Sequence, residues 1–253
     1  MSINSASPIF GPVKSRRLGV SLGINLLPGD GKVCTFDCIY CECGLNKDHR
    51  PKSKMPTRDE VCRGLEKKLS EMQAAGEAPD VLTFAGNGEP TCHPDFAAII
   101  DDTLRLRDKY FPKARVSVLS NATQLHREDV REALRRVDNN CLKLDTVSST
   151  YINKVDRPTG KYDVKEVIEY MKLFRGQAVV QSMFMKGEGV DNTSNEFVEP
   201  WLKTVLEIAP REVMIYTIDR DTPVGGLEKA TPEELNSIRD RVIAAGIPCS
   251  ASY

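Results

Sequence analysis

Val81-Leu82-Thr83-Phe84-Ala85-Gly86-Asn87-Gly88-Glu89-Pro90 joins a short apolar run to a glycine turn. The run is too short for a helix and reads as a buried strand halted by its glycines. Upstream, residues 57–75 have helical period and open on Thr57 with Glu60, a capping box. Downstream, residues 94–110 are helical in pattern again. The same alternation recurs along the chain. Further strands are expected at 19–26, 115–119, 141–145, 178–185 and 212–218, and further helices near 126–137, 163–174, 195–209 and 231–245. Thr231-Pro232 with Glu234 supplies another helix start. Alternating strands and helices predict a parallel sheet with covering helices, either doubly wound or closed into a complete or partial barrel. Both place ligands at the C-terminal ends of strands. No internal repeat or composition break marks a second domain, so one α/β domain over 1–253 is expected.

The chain has 253 residues, 40% apolar and 28% charged, which is a globular composition. No stretch reaches the roughly 20 apolar residues of a bilayer span, and Met1-Ser2-Ile3-Asn4 opens no secretory signal. A cytoplasmic protein with no membrane partner is expected. The net charge of -1 argues against gross polyanion binding, yet it is unevenly spread. Residues 1–54 carry eight Lys or Arg against four acids, so this segment is basic and the remainder acidic.

Four of the eight cysteines fall in Cys34-Thr35-Phe36-Asp37-Cys38-Ile39-Tyr40-Cys41-Glu42-Cys43. This run lies in a connection of about 27–56, long for an α/β loop and so expected to be functional. In a reducing compartment, clustered cysteines point to metal or redox chemistry rather than disulfides. Zinc and an iron–sulfur cluster both use thiolates. A structural zinc site usually has a second ligand pair, and none follows here. Three ligands from one loop leave one iron of a four-iron cluster open, which marks a catalytic site. Cys41 and Cys43 are too close to serve together with Cys34 and Cys38. Cys62, in a helical pattern, and Cys141, in a strand, read as small core residues.

The spacing Cys34-x-x-x-Cys38-x-x-Cys41, with Tyr40 before the last cysteine, resembles the signature of the radical S-adenosylmethionine (SAM) superfamily. Gly86-Asn87-Gly88-Glu89, after the next strand, is similar to the family's Gly-Gly-Glu element. The resemblance implies a partial (β/α)6 TIM-like barrel of parallel strands with outer helices. It also implies a [4Fe–4S] cluster on Cys34, Cys38 and Cys41, and SAM bound through Tyr40 and Gly86–Glu89. The chemistry is reasonable, because glycines admit close backbone approach and a carboxylate suits the ammonium of SAM. Ser120-Asn121-Ala122-Thr123 resembles the segment that meets the ribose or carboxylate of SAM, with a plain helix-capping loop as the alternative. Lys143 and Asp145 share one face of their strand, opposite Leu142 and Leu144. Buried charges need a partner or a ligand, so these two are candidates for SAM or substrate, or for a structural ion pair. Gln181 and Met183 share a face of the following strand and are placed to line the same site.

Looser likenesses point to the branch related to tRNA wyosine synthases: Gly11-Pro12-Val13-Lys14-Ser15-Arg16-Arg17-Leu18-Gly19-Val20-Ser21-Leu22-Gly23-Ile24-Asn25, Lys143-Leu144-Asp145, Asp156-Arg157-Pro158 and Tyr216-Thr217-Ile218-Asp219-Arg220. No cysteine precedes Cys34, so the second cluster of those synthases is not expected. Among the histidines, His126 reads as a surface residue, His93 as structural, and His49 as part of a basic stretch with Lys47, Arg50, Lys52 and Lys54 that meets solvent or phosphates. The resemblance implies reductive cleavage of SAM to a 5′-deoxyadenosyl radical, with a low-potential donor such as flavodoxin or ferredoxin. A tRNA nucleoside, a partner protein made into a glycyl-radical enzyme, and a peptide or small molecule all remain open as substrates. A non-catalytic iron–sulfur or zinc protein is the competing class.

Overall fold

The computed structural model describes residues 7–15 and 19–253. Arg16, Arg17 and Leu18 of the opening likeness, and Met1-Ser2-Ile3-Asn4, lie outside the described residues. The chain forms two compact units, between which the sequence passes repeatedly. One holds the described residues up to Cys34, with Asn46–Ser120 and Arg127–Asn140; the other holds Thr35–Leu45, Asn121–His126 and Cys141–Tyr253.

The first unit runs β1 (Ile9–Ser15), β2 (Gly19–Ile24), α1 (Arg58–Ala74), β3 (Val81–Phe84), α2 (Phe96–Tyr110), β4 (Arg115–Ser120) and α3 (Glu128–Arg136). β1 pairs antiparallel with β2, while β2, β3 and β4 lie parallel side by side. The capping box forms as expected, with Thr57 and Glu60 closing the N-terminus of α1 on each other. α1 then buries Val61, Leu65, Leu69 and Met72, a stripe at helical spacing. Phe84 of β3 meets Phe96 of α2 edge-on, centroids 6.2 Å apart.

The unit boundary falls inside β5 (Asn139–Lys143). The second unit continues with α4 (Ser149–Val155), α5 (Val164–Lys172), β6 (Val179–Met183), β7 (Met185–Gly187), β8 (Val190–Asp191), α6 (Asn195–Ile208), β9 (Glu212–Tyr216), β10 (Leu227–Lys229), α7 (Pro232–Ala244) and β11 (Cys249–Ser252). β5, β6, β9 and β11 lie parallel in that order. A small antiparallel sheet, β10-β7-β8, stands apart from them.

The fold class is therefore mixed α/β with mostly parallel main strands. The six expected strands and six expected helices all form, with ends shifted by a few residues. The expected strand at 178–185 is split. Phe184 N–H still donates to the Tyr216 carbonyl at 2.8 Å and its ring packs edge-on against Trp201, centroids 5.2 Å apart, while the side chain of Asn192 takes the Met183 carbonyl at 2.7 Å and the Met185 amide at 2.9 Å. The strand at 141–145 instead starts at Asn139 and ends at Lys143, so Asp145 lies just past its end. β1, α4, β8, β10 and β11 were not expected from the pattern, because they are short, polar or interrupted by Gly11-Pro12.

Trp201 fixes the strand ends of the second unit. Its indole N–H donates to the Leu144 carbonyl at 2.9 Å and to Ser182 Oγ at 3.1 Å, all three buried. Trp201→Phe removes that donor and part of the ring, so it should destabilise by about 1–3 kcal/mol. In a chain of this size that corresponds to a fall in Tm of about 2–4 °C per kcal/mol. Urea unfolding checks it, and a loss under about 0.5 kcal/mol would contradict this reading of the site.

Candidate functional site

In the first unit the site residues gather on the turn after β3. Gly86 and Gly88 have φ of 146° and 138°, a region that favours glycine. A Cβ at Gly86 would stand 2.4 Å from Asn25 Oδ1, and one at Gly88 1.9 Å from the Val33 carbonyl oxygen. Both glycines are therefore required by close packing as well as by conformation. Asn87 is fully buried, its amide donating to the Pro28 carbonyl at 3.1 Å and its own carbonyl accepting from Val33 N–H at 3.0 Å. Glu89 N–H donates to the Val33 carbonyl at 3.0 Å. This turn thus holds the residue just before Cys34.

Glu89 is 2% exposed, extended as Pro90 requires, and caps a short 3-10 turn at Pro90–Cys92. Its Oε1 accepts from Thr91 N–H at 3.1 Å, from the Thr91 hydroxyl, and from Ser120 Oγ at 2.9 Å. The structure thus brings Glu89 and Ser120 together. His93 is structural: its Nδ1 accepts from Asp95 N–H at 3.1 Å, leaving Nε2–H to donate to the Pro56 carbonyl at 2.8 Å. Cys62 departs from the expectation of a core residue. It is half-buried on α1 with Arg105 Nη2 3.6 Å away, because its position flanks the buried stripe rather than joining it. Cys141 is buried as expected.

In the second unit the cysteine loop is sewn down along its length. Asp37 N–H donates to the Asp156 carbonyl at 2.9 Å, Ile39 N–H to the Val155 carbonyl at 2.9 Å, and Thr159 N–H to the Thr35 carbonyl at 2.9 Å. Cys41 N–H donates to the Cys38 carbonyl at 3.1 Å, so a single turn joins these two cysteines. Asn121 and Thr123 hold the start of the loop, Asn121 Nδ2 donating to Thr35 Oγ1 at 2.9 Å. Glu42 pairs with Arg220, Nη1 to Oε2 at 2.7 Å.

At the centre of this unit Lys143 meets Asp145 and the Tyr40 hydroxyl, with Asp156 Oδ1 at 3.0 Å. Tyr40 also donates to Asp145, and the ammonium lies 4.9 Å from the Tyr40 ring centroid. Cys38 Sγ is 3.6 Å from Asp156 Oδ1. Asp145 and Asp156 are buried. Burial opposes the charge on Lys143, but Asp145 and Asp156 outweigh it and hold the ammonium well above the ordinary lysine range. Burial pushes Asp156 up to about 6 despite the opposing pull of Lys143. Tyr40 is raised well above the ordinary tyrosine range by burial and then by Asp145.

Gln181 is the register partner of Lys143, and its carbonyl accepts from Leu144 N–H at 2.9 Å. Met183 packs with Ile39, Tyr151 and Val155 in an apolar cluster flanked by Tyr40. Its N–H donates to Asp145 Oδ1 at 2.9 Å. The residue that sequence reasoning passed over is Asp156. It was legible only as part of Asp156-Arg157-Pro158, and its partnership with Lys143 spans too much chain for any local pattern to show.

No disulfide joins any of the eight cysteines. Among the described residues no three His, Cys, Asp or Glu side chains form a group that could hold a metal ion. Three thiols carried on one hydrogen-bonded loop are a donor set of the kind that thiolate-bound metal centres use.

The family model described as the radical SAM superfamily matches residues 30–193. A UPF0026 protein of Helicobacter pylori (strain ATCC 700392 / 26695) is 29% identical over 216 residues, 84% of this chain and 66% of its own length. The chain thus spans just under two thirds of that relative. UPF0026 protein slr1464 of Synechocystis is 30% identical over 231 residues, 88% of this chain and 80% of its own length. The crystal structure of a radical SAM methyltransferase from Sphaerobacter thermophilus matches with a TM-score of 0.68 at 15% identity, over 92% of this chain and 66% of that one. At that identity the likeness speaks for the fold alone.

Lys143→Met should destabilise by about 3–5 kcal/mol, since it strands two buried carboxylates without their cation. Adding Asp156→Asn should recover part of the loss, a coupling that a double-mutant cycle in urea reads directly. If the double variant is no more stable than Lys143→Met alone, the pairing carries no such energy.

Proposed function

This chain belongs to the radical SAM superfamily, whose enzymes bind a [4Fe–4S] cluster and SAM, and from that premise we propose that Cys34, Cys38 and Cys41 hold the cluster in this protein. The observation that carries the reading is the attachment of the cysteine segment at both ends. Val33 is paired with the Gly86–Glu89 turn in the first unit, and Thr35–Ile39 are paired with 155–159 in the second. When bound, the cluster supplies the electron that splits SAM into methionine and a 5′-deoxyadenosyl radical able to abstract hydrogen.

The chain's own residues do the rest. Glu89, aligned by Thr91 and Ser120, offers its carboxylate to the SAM ammonium, and Gly86, Asn87 and Gly88 let the backbone come close. Ser120 and Asn121 provide polar groups for the ribose or carboxylate. Lys143 and Asp145 present a paired cation and anion to SAM or substrate, with Tyr40 held over them by both. Gln181 and Met183 line that face. The cluster of Ile39, Tyr151, Val155 and Met183 excludes water from the back of the cysteine loop. No helix among the described residues is long and apolar enough to cross a membrane. We place the enzyme in the cytoplasm, with flavodoxin or ferredoxin as the low-potential donor and the substrate entering beside Lys143.

Anaerobic reconstitution should load about four irons per chain, as one cluster requires. Cys38→Ala should abolish loading and Cys43→Ala should leave it near normal; about eight irons would mean a second cluster. Reduced protein given SAM alone should slowly form 5′-deoxyadenosine and methionine. Formation of S-adenosylhomocysteine alone would sink the radical reading. Glu89→Ala should weaken SAM binding about tenfold or more with iron content unchanged, as expected for loss of a charge-assisted hydrogen bond.

A further inference from the structure

The exposed loop at 47–54 takes no part in the chemistry above. It carries Lys47, Arg50, Lys52 and Lys54 against a single acid, Asp48. None of these four cations has an ion-pair partner among the described residues. The loop is nonetheless fixed. Asp30 accepts from Lys52 N–H at 3.0 Å, from Ser53 N–H at 3.0 Å and from the Ser53 hydroxyl, while Lys32 N–H donates to the His49 carbonyl at 2.7 Å. A Cβ at Gly31 would stand 2.5 Å from Pro51 N, so the two strands of the loop press together. Four cations with no ion-pair partner among the described residues are thus displayed on a hydrogen-bonded frame, in a chain whose net charge is -1.

The loop runs into a cleft of about 920 Å³ in the same unit. Leu27, Met55, Pro56 and Pro8 give it apolar walls, and Lys54 and Arg63 supply cations. The two carboxylates on its wall are turned to the chain itself. Asp30 is held below the usual carboxylate range by Ser53 and then Lys52, and Glu60 by the Thr57 backbone and hydroxyl. Glu60 accepts from the Thr57 N–H and hydroxyl and feels the nearby Arg63, whose Nε–H donates to the Asp59 carbonyl at 3.3 Å. A volume of several hundred Å³ suits a group the size of a nucleotide.

We propose that this face binds single-stranded nucleic acid, with phosphates along the 47–54 loop and one splayed base in the cleft. A small anion would engage one or two of the cations, whereas a polyanion engages all four and releases its counterions as it does so. The apolar walls suit the face of an unpaired base, which a duplex cannot present. The inference stands apart from the SAM chemistry.

The test is fluorescence anisotropy with the full chain and a labelled single-stranded RNA of about 12 nucleotides, within the usual site size. No SAM or reductant is present, so failure here would leave the cluster reading untouched. Binding should weaken with salt between about 50 and 200 mM, with a log–log slope near -3 for four phosphate contacts. Replacing Lys47, Arg50, Lys52 and Lys54 together by alanine should lower affinity at least tenfold and flatten that slope. Single variants Lys52→Ala and Lys54→Ala, which pose less risk to folding, should each reduce the slope by about 0.7. Arg63→Ala should weaken the single strand in the same way. Alanines at the exposed Lys113, Lys161, Lys165 and Lys203 should change nothing. The proposal is overturned by absence of binding at the lowest salt, by equal loss in the control set, by a duplex binding as tightly, or by a phosphopeptide of equal charge competing as well.

Discussion

A lysine ammonium largely withdrawn from water at the end of a parallel strand requires anions beside it, and Lys143 in the second unit meets that requirement with two carboxylates. Lys143 is held by Asp145, just past its own strand, and by Asp156, which follows α4. Tyr40 closes the group from the cysteine loop. One buried charge therefore ties a strand end, a helix end and the loop that bears Cys38 and Cys41. An apolar replacement of the whole group would hold the fold as well or better.

The first unit meets a different constraint with a different device. The turn after β3 must bring backbone close to whatever binds there, and it already packs against Asn25 and Val33. Side chains at 86 and 88 have no room, so glycine stands at both. The freed space is given to backbone pairing of Asn87 and Glu89 with Val33, leaving Glu89 aligned by Thr91 and Ser120. Its carboxylate is oriented by hydrogen bonds from the Thr91 and Ser120 hydroxyls.

Much of this was legible in the sequence because it is local. The alternation of short apolar runs with segments of helical period marked β2 to β6, β9 and the six longer helices, and the glycine turn announced itself by composition. Cysteine spacing, read with that turn, pointed to the family. The rest was hidden for physical reasons. The break between β6 and β7 rests on the side chain of Asn192, which bonds the Met183 carbonyl and the Met185 amide, and no periodicity announces it. Asp156 joins Lys143 through a fold-level contact, and Cys62 misses the core by one helical position. Short strands such as β10 and β11 lack the apolar residues that would have marked them.

The central claim is that three cysteines of one loop bind a cluster with one iron left open for SAM. Electron paramagnetic resonance of the anaerobically reduced, reconstituted protein tests it most directly, with and without SAM. The account predicts a reduced [4Fe–4S] signal whose g values shift when SAM is added, because SAM becomes a ligand of the open iron. A cluster signal indifferent to saturating SAM would contradict it.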